Sequence, residues 1–376
     1  MTGLYLHIPF CKQSCHYCNF HFSTSQNNRD EVLTAIIKEI NQKALGFNDK
    51  ISTIYFGGGT PTILTEKELN TIIENILKKF DVEKNIEITI EANPDDLTKS
   101  KLSALSNSVV NRVSIGVQSF IDKELKSMNR AHDSKKAIKS LEMARKYFEN
   151  ISIDLMYGLP ESSLESCNYN LDFIQKFDLN HVSAYALTVE PKTALQSFLK
   201  KSIIEMPDEQ MVYDQFKLIN ERLTNEGFTN YEVCSFAKKD FFSKNNSAYW
   251  LRKKYIGIGP SAHSFDGNFR SWNISNNKKY IDHINQGRSY YKKEKLTKID
   301  HYNEYIMTGL RTIWGVSTEH IESNFNKNFK NYFLDKIQKH IDQKNIKIKD
   351  NIYLTTNSGR FLADGIASDL FLVNLK

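Results

Sequence analysis

The hydrophobic positions in the first half of the chain alternate between two spacings. Short apolar runs lie at residues 4–8, 53–56, 86–90, 112–115, 151–156 and 181–187. Stretches with helical spacing lie between them, at residues 31–43, 66–80, 134–148 and 164–177. Strands that alternate with amphipathic helices are typical of βαβ units, which build parallel sheets. The pattern therefore predicts an α/β fold with six parallel strands, arranged either as a doubly wound sheet or as a barrel-like sheet.

Beyond about residue 190 the hydrophobic pattern changes. Residues 205–227 have the spacing of one helix, and a mixed region follows them. From about residue 297 the sequence predicts helices, a β-hairpin of residues 346–349 and 352–355, and a last helix after Ser358. That order is similar to a small winged-helix-like α+β module, which we interpret as a packing or partner-docking unit. We therefore predict three parts, at residues 1–190, 191–296 and 297–376.

Composition and charge narrow the class of protein. The chain is 40% hydrophobic and 25% charged, which is ordinary for a globular protein. No apolar run approaches the roughly 20 residues that span a membrane, and no signal peptide is recognisable, so we expect a cytoplasmic protein. The net charge of +6 is mild for this length. We therefore expect no nucleic-acid partner, and a peripheral contact with a membrane stays open.

Three cysteines near the start of the chain carry the strongest chemical signal. Cys11, Cys15 and Cys18 follow the first apolar run with the spacing C-x3-C-x2-C. Three thiolates on one short loop can bind three corners of a cubane iron–sulfur cluster. The fourth iron would then lack a protein ligand and could bind a small molecule, which favours a catalytic cluster over a structural one.

A structural zinc site is the main alternative for this loop. Zinc usually takes four protein ligands, and His7, His16 or His21 could supply the fourth. A disulfide is less favoured, because the other two cysteines, Cys167 and Cys234, stand alone in the sequence. Their simplest role is that of small buried side chains.

Residues with special chemistry follow the carboxyl ends of successive predicted strands. The cysteine loop follows the first strand and a glycine run at residues 57–59 follows the second. The later strands end near Glu91 and Asn93, Gln118, Asp154 and Ala186. Parallel sheets and barrels bind ligands at this edge. The glycines would admit an amino-acid-like ligand close to the backbone. Glu91 and Asp154 suit hydroxyl or amine recognition, or alternatively helix capping or an ion pair with Arg112 or Arg130.

These motifs resemble those of the radical S-adenosylmethionine enzymes of the HemN-like group, and the resemblance covers nearly the whole chain. The motifs that carry it are Tyr5-x-His7-Ile-Pro-Phe-Cys11-x3-Cys15-x-Tyr17-Cys18, Gly57-Gly-Gly-Thr-Pro-Thr62, Ile90-Glu91-Ala-Asn-Pro94, Arg112-x-Ser-Ile-Gly-Val-Gln118, Asn129-Arg130-x-His132, Ile153-Asp154-Leu-Met-Tyr-Gly-Leu-Pro160 and Gly257-Ile-Gly-x-x-Ala-His263. The combination is very specific and favours the cluster over zinc.

The resemblance implies a partial (β/α)6 radical S-adenosylmethionine barrel with a 4Fe-4S cluster on Cys11, Cys15 and Cys18. A reduced donor protein would supply the electron that cleaves S-adenosylmethionine to a 5′-deoxyadenosyl radical. The residues implied to contact the S-adenosylmethionine on the open iron are Tyr5, Gly58 and Glu91. Those that match positions around a second molecule in the oxidase branch are Tyr17, Gly59, Thr60, Gln118, Arg130, Asp154 and Ala186. Whether this chain holds a second molecule stays open.

The group has two functional branches. One is the oxygen-independent coproporphyrinogen III oxidase, and the other contains heme chaperones that bind heme and pass it to apo-hemoproteins. The oxidase branch has an extension ahead of the first strand and a further cysteine two positions after the third ligand. This chain starts four residues before Tyr5 and has Phe20 at that position. We therefore expect a heme chaperone, with the oxidase as the alternative. A cluster protein that binds S-adenosylmethionine without turnover is a further possibility.

One motif departs from the heme-chaperone pattern. That branch typically has His-Asn-x-x-Tyr-Trp, and its histidine is the expected heme ligand, whereas this chain has Asn245-Asn-Ser-Ala-Tyr249-Trp250. An asparagine cannot bind heme iron as imidazole does. His263 is the nearest alternative ligand, although a structural role for it is as plausible. Tyr249 and Trp250 either stack on a porphyrin or fill the core.

Overall fold

The computed structural model describes residues 2–373, and its main feature is a large mixed β-sheet. The six apolar runs form its central parallel strands. They are β1 (Thr2–Ile8), β2 (Ile51–Gly58), β3 (Val82–Ala92), β4 (Arg112–Gln118), β5 (Ile151–Tyr157) and β6 (His181–Ala186). Each pairs in parallel with the next one along the chain. The predicted α/β fold with six parallel strands is therefore confirmed.

Helices connect these strands, as parallel pairing requires. They are α1 (Arg29–Ala44), α2 (Glu66–Lys79), α3 (Lys99–Ser106), α4 (Asp122–Ser127), α5 (Ser134–Ala144) and α6 (Leu164–Lys176). Helix α2 illustrates the sequence signals that specify these helices. The Thr65 side chain accepts a hydrogen bond from the Glu68 backbone N–H, and the Glu68 carboxylate accepts one from the Thr65 N–H, 2.6 Å away. The buried residues of α2, which are Leu69, Ile72, Ile73 and Ile76, recur with helical spacing and form one face of the helix.

The middle region extends the sheet at both sides. Its elements are α7 (Ala194–Lys200), α8 (Glu209–Asn225), β7 (Thr229–Asn230), β8 (Ser235–Ala237), α9 (Lys244–Trp250), β9 (Lys254–Ile258), β10 (His263–Phe265), β11 (Phe269–Asn273), α10 (Asn277–Asn285) and β12 (Tyr291–Lys295). Across residues 2–373 the sheet order is β12-β11-β10-β9-β1-β2-β3-β4-β5-β6-β8-β7. Strand β9 pairs in parallel with β1, so β1 lies inside the sheet. The helix predicted at residues 205–227 is α8, which is shorter.

The last region forms a small α+β unit. Its elements are α11 (Lys298–Leu310), β13 (Val316–Ser317), α12 (Thr318–Asn324), α13 (Lys327–Asp342), β14 (Ile346–Lys349), β15 (Ile352–Thr355), α14 (Asn357–Phe361) and α15 (Ala363–Asp369). The predicted hairpin is confirmed, and its turn residues Asp350 and Asn351 have positive φ values of 51° and 60°, as a tight hairpin turn requires. No helix in residues 2–373 is both long and apolar enough to cross a membrane.

Among the described residues, the hydrophobic core consists of a main cluster, a separate C-terminal cluster and a small cluster of Leu125, Met128, Met156 and Leu159. The main cluster includes residues from Leu4 to Tyr290, and the C-terminal cluster includes residues from Tyr302 to Leu370. The middle region therefore shares its core with the parallel strands. The division of the chain after residues 190 and 296 stays a prediction. Residue 1 of its first part and residues 374–376 of its last part lie outside the described residues.

A buried carboxylate joins the first connecting helix to the middle region. Glu39 of α1 is fully buried, and Lys43 lies 3.0 Å from it. The Glu39 carboxylate accepts hydrogen bonds from the Gly259 N–H and the Asn273 side-chain amide, each at 2.8 Å, and from the Tyr280 hydroxyl. Charge-assisted bonds of this kind stabilise a buried carboxylate only while all its partners remain in place.

We predict that Glu39→Ala destabilises the protein by about 3–5 kcal/mol, because it removes the acceptor of three hydrogen bonds from Gly259, Asn273 and Tyr280 and the anion paired with the half-buried Lys43. The free energy of unfolding from denaturant titration measures this effect. Glu31→Ala on the exposed face of the same helix is the matched control and should change stability by less than about 0.5 kcal/mol. Equal effects of the two variants would show that the Glu39 network contributes nothing specific.

Candidate functional site

The three cysteines lie on the loop between β1 and α1 and line one cavity of about 410 Å³ at the carboxyl edge of the parallel strands. Each of the three side chains is half-buried. Backbone hydrogen bonds hold the loop at its base. The Cys11 N–H donates to the Ser23 carbonyl at 3.1 Å, and the Ser23 N–H donates to the Pro9 carbonyl at 2.9 Å. The loop is therefore closed on itself around the cavity.

Distant elements also hold the cysteine loop. The His16 N–H donates to the Met128 carbonyl at 3.1 Å, and the His16 carbonyl accepts from the Leu195 N–H at 2.9 Å. The Gln13 side-chain amide donates to the Asn129 carbonyl at 2.9 Å. These contacts attach the loop to the end of α4 and the start of α7, so its shape depends on both sides of the cavity.

Two side chains donate hydrogen bonds to cysteine sulfur atoms. Thr60 Oγ1 lies 3.5 Å from Cys11 Sγ, and the Arg130 guanidinium lies 3.2 Å from Cys15 Sγ. Burial raises the pKa of Cys11 to about 11, while the bond from Thr60 lowers it. The free thiol therefore favours its protonated form, and a metal must displace the proton. The Thr60 hydroxyl and the Arg130 guanidinium lie next to cysteine sulfur atoms, where such groups stabilise the thiolate form that binds a metal.

The histidines considered as zinc ligands all have other partners. The His7 Nε2 atom bonds the His21 carbonyl at 2.8 Å, and the His21 Nε2 atom bonds Asn277 Oδ1 at 2.8 Å. The His16 Nδ1 atom bonds the Ser127 carbonyl at 2.9 Å. Within residues 2–373, no three His, Cys, Asp or Glu side chains converge as the ligands of a single metal ion do. A bond at one ring nitrogen leaves the other able to bind a metal, so it is the lack of convergence with the cysteines that argues against the four-ligand zinc interpretation of the loop.

The glycine run packs directly against the start of the cysteine loop. Gly58 has a φ of +105°, and a Cβ atom there would lie 2.7 Å from the His7 ring. A Cβ atom on Gly59 would lie 2.5 Å from the Phe10 carbonyl oxygen. The Thr60 N–H donates to that same carbonyl at 2.7 Å. Only glycine permits this close approach, so the run joins the ends of β1 and β2 at the cavity wall.

Glu91 lies at the end of β3 and accepts a hydrogen bond from the Tyr55 hydroxyl at 2.8 Å. Burial, followed by the nearby charge of Asp154, raises the pKa of Glu91 to about 7, although the Tyr55 and Gly58 hydrogen bonds lower it. Tyr5 stacks on Tyr55 with ring centroids 6.1 Å apart. The carboxylate is therefore held firmly at a position where it could accept a hydrogen bond from a ligand.

Asp154 also lines the cavity, but it lies in the middle of β5, three residues before the strand ends at Tyr157, so the expectation that it closes the fifth strand was wrong. Burial raises the pKa of Asp154 to about 6, and hydrogen bonds with Ser183 and Ser114 oppose that shift. Within the described part of the chain, neither Asp154 nor Glu91 forms a salt bridge, so the ion-pair interpretation with Arg112 or Arg130 is not observed. Both carboxylates stand at the cavity without a paired cation.

Arg130 and Asn93 connect the cysteine loop to the strand ends. Besides its bond to the Cys15 sulfur, the Arg130 guanidinium donates to Asn93 Oδ1 at 2.7 Å and lies 3.4 Å from the Tyr17 hydroxyl. The Asn93 side-chain amide donates in turn to Thr60 Oγ1 at 3.0 Å. Asn93 thus links the two side chains that donate to cysteine sulfur.

The structure brings nearly all the residues singled out in the sequence to this one cavity. Its walls include the three cysteines together with Tyr17, Gly58, Gly59, Thr60, Glu91, Gln118, Arg130, Asp154 and Ala186. Tyr5 instead lines a neighbouring cavity, although it stacks on Tyr55 behind Glu91. The roles of these residues toward ligands stay predictions.

Other residues of the cavity wall were not assigned from the sequence. Asn93 was placed at a strand end without a role toward a ligand, and Ser114 stands inside the motif that ends at Gln118. The remaining wall residues have no motif of their own, and they include Asn19, Phe22, Tyr185 and Glu190. Asn19 and Phe22 lie within four residues of Cys18, whereas Tyr185 and Glu190 come from a distant segment, and local spacing does not reveal that this segment reaches the cavity.

Comparison with protein families identifies two matching regions. A family model described as the radical SAM superfamily matches residues 5–174. A second, described as the HemN C-terminal domain, matches residues 296–362. The first match contains the cysteine loop and Glu91, and the second contains most of the C-terminal α+β unit.

Curated relatives match along most of the chain. The heme chaperone HemW of Bacillus subtilis is 34% identical over 97% of this chain and 98% of that protein. The heme chaperone HemW of Lactococcus lactis is 33% identical over 91% of this chain and 90% of that protein. The solved structure of the coproporphyrinogen III oxidase HemN from Escherichia coli has a TM-score of 0.85, covers 98% of this chain and 90% of that chain, and is 24% identical. At that identity the structural match establishes a shared fold alone.

We predict that the raised pKa of Glu91 makes stability depend on pH. Because the folded protein binds this proton more tightly than the unfolded chain, the free energy of unfolding falls as the pH rises from about 4.5 to about 7. Glu91→Gln removes the titrating group, so the variant should gain stability relative to the parent across that window, by roughly 3 kcal/mol at most. Unfolding titrations at several pH values measure the difference. Glu142→Gln, at an exposed carboxylate, should show no such trend.

Proposed function

The chain belongs to the HemW family of radical S-adenosylmethionine proteins, and on that premise we propose that it is a heme chaperone. It binds heme and an iron–sulfur cluster, and it passes the heme to apo-hemoprotein acceptors. The observation that carries the proposal is the match to proteins named heme chaperone HemW over nearly the full length of this chain. The cavity that unites the three cysteines with the strand-end residues supports the cofactor part of the proposal.

The donor set of the cavity fits a 4Fe-4S cluster. Cys11, Cys15 and Cys18 would hold three of its irons, because they are half-buried thiols around one cavity. When bound, the cluster and S-adenosylmethionine supply one-electron reductive chemistry at the sulfonium group. Thr60 and Arg130 stabilise the thiolate forms of Cys11 and Cys15 through the hydrogen bonds described above. Their side chains also fix the loop before any cofactor arrives.

The strand-end residues would bind S-adenosylmethionine. Gly58 has no side chain and so would let an amino-acid group approach the backbone at the cavity wall, and Glu91 would accept hydrogen bonds from amine or hydroxyl groups of that ligand. Tyr5 supports this region from the side of β1. Whether Tyr17, Gln118, Asp154 and their neighbours bind a second molecule stays a prediction, as do an external electron donor and a cytoplasmic location.

The coproporphyrinogen III oxidase alternative has weaker support. The structural match to the Escherichia coli oxidase concerns the fold. Phe20 stands two positions after Cys18, where the oxidase branch has a cysteine, and its side chain is 69% exposed at the cavity wall. An apolar ring there cannot perform the thiol chemistry of a cysteine. We therefore propose heme transfer, and not oxidative decarboxylation of coproporphyrinogen III, as the function of this protein.

We predict that replacing Cys11, Cys15 or Cys18 singly with Ala abolishes the cluster, because each would bind a separate iron. Iron and sulfide analysis of anaerobically purified protein, with visible spectroscopy, measures the loss. Cys167→Ala and Cys234→Ala are the matched controls and should retain the full cluster, since neither side chain lines the cavity. Retention of the cluster in a loop variant, or its loss in a control variant, would contradict this assignment.

We further predict that the reconstituted protein binds heme and transfers it to a heme-free acceptor such as apomyoglobin, while it leaves coproporphyrinogen III unchanged. Both assays use one anaerobic sample. The Soret band reports heme transfer, and porphyrin chromatography reports conversion. Formation of protoporphyrinogen would assign the chain to oxidase chemistry. Failure to bind heme would overturn the chaperone proposal, and cleavage of S-adenosylmethionine in the same sample would separate a radical enzyme from a protein that only binds the ligand.

A further inference from the structure

A second cavity, of about 340 Å³, adjoins the cluster cavity. Its volume falls within the range of small-molecule pockets, roughly 300–1,000 Å³. Asn19 and Phe20, which directly follow Cys18, form part of the walls of both cavities. A ligand in the second cavity would therefore contact the same segment of the cysteine loop that borders the cluster cavity.

Aromatic side chains form much of the second cavity. Tyr5, Tyr249 and Tyr255 lie along its wall, and the exposed Phe20 ring stands at its border with the cluster cavity. Tyr249 and Tyr255 pack edge to face with ring centroids 4.6 Å apart. Rigid aromatic rings offer a flat conjugated ligand large contact areas with little loss of side-chain entropy. The wall therefore suits one edge of a planar macrocycle, with the remainder outside the cavity.

Three histidines line this cavity, and they differ in their hydrogen bonding. His7 and His21 use their Nε2 atoms in the bonds to the His21 carbonyl and to Asn277. In the described part of the chain, the ring of His263 has no hydrogen-bond partner, and the residue is exposed. It stacks on Trp272 with centroids 6.3 Å apart and an interplanar angle of 25°. His263 is therefore oriented by packing and has both ring nitrogens available.

The electrostatic surroundings favour the neutral form of this imidazole. Partial burial, followed by the charge of Arg270, lowers the pKa of His263. Neutral imidazole carries the lone pair that binds a metal ion, while a protonated ring does not. At neutral pH the ring is thus ready to bind a metal without first losing a proton.

Residue 245, where the heme-chaperone branch has its histidine, lies behind the wall of this cavity. Asn245 is only 3% exposed, and its Oδ1 atom accepts a hydrogen bond from Thr53 Oγ1 at 3.1 Å. Its backbone N–H donates to the Glu87 carboxylate at 3.0 Å. The Asn245 side chain also bonds Tyr249, which does line the cavity. Asn245 therefore positions an aromatic wall residue and does not itself face the cavity.

We propose that the second cavity is the porphyrin site of this protein and that His263 is the axial ligand of the heme iron. This inference rests on the proposed function, because heme is the ligand it concerns. The imidazole would bind the iron while Tyr249, Tyr255 and Phe20 contact the macrocycle. The exposed positions of His263 and Phe20 leave one edge of the porphyrin open to solvent, which suits a ligand that must be handed to another protein.

The experiment compares heme with metal-free protoporphyrin IX, each titrated into the reconstituted protein and its His263→Ala variant. We expect the variant to bind heme about ten-fold or more weakly and to lose the visible spectrum of imidazole ligation. Binding of metal-free protoporphyrin should change little, because it has no iron for His263 to bind. The matched control is His320→Ala, at an exposed histidine of the C-terminal unit. Should His263→Ala fail to fold, His263→Cys should shift the heme spectrum to thiolate ligation.

Each outcome is decisive. Unchanged heme binding in His263→Ala would overturn the ligand assignment, and equal weakening of heme and protoporphyrin would assign His263 a purely structural role. A stronger imidazole signal in Asn245→His would move the site to residue 245, whereas our inference predicts no change in that variant. If the parent protein itself binds no heme, the proposed function fails first, and this result is distinct from the loss of His263 ligation alone.

Discussion

The site depends on the parallel pairing of β1 with a strand on each side. Tyr5 of β1 is in register with Tyr55 of β2 and with Gly257 of β9. Because the carboxyl ends of parallel strands meet at one edge, this pairing brings the cysteine loop, the glycine run and the segment that leads to His263 together. A slip of β1 by one residue would reverse which side chains face the core and would move the cysteines away from their donors.

Hydrogen bonding at the cavity prepares two kinds of group for ligands. The thiols receive donors, from Thr60 and Arg130, which favour the charge they would carry in a cluster. The carboxyl groups of Glu91 and Asp154 lie buried with raised pKa values and without a paired cation. A ligand that brings its own positive charge would restore their ionised forms, so the cavity is electrostatically complementary to a cationic ligand.

The sequence predicted the elements whose signals are local. The six parallel strands follow from alternating apolar runs, and the hairpin turn at Asp350 follows from residues that tolerate positive φ. Strand β9 was not predicted, because its segment is rich in glycine and was described only as part of a mixed region. Strand β12 was not predicted either, because all its residues are exposed and it has no hydrophobic pattern. The cysteines and Glu91 were identified by motif, whereas the second cavity required the pairing of β9 with β1. Contacts between distant segments produce no hydrophobic periodicity in either segment, so the sequence pattern does not predict them.

The position of β1 inside the sheet also constrains the order of assembly during synthesis. Strand β1 and the cysteines emerge from the ribosome early, but β9 becomes available only after β2 to β8 have been made. Until then, one edge of β1 has unpaired backbone groups, and the cysteine thiols are more exposed to solvent than in the folded protein. Closure of so long a loop of chain is entropically slow. Nascent chains should therefore be most vulnerable to oxidation and to misplaced metals before residue 258 has been added.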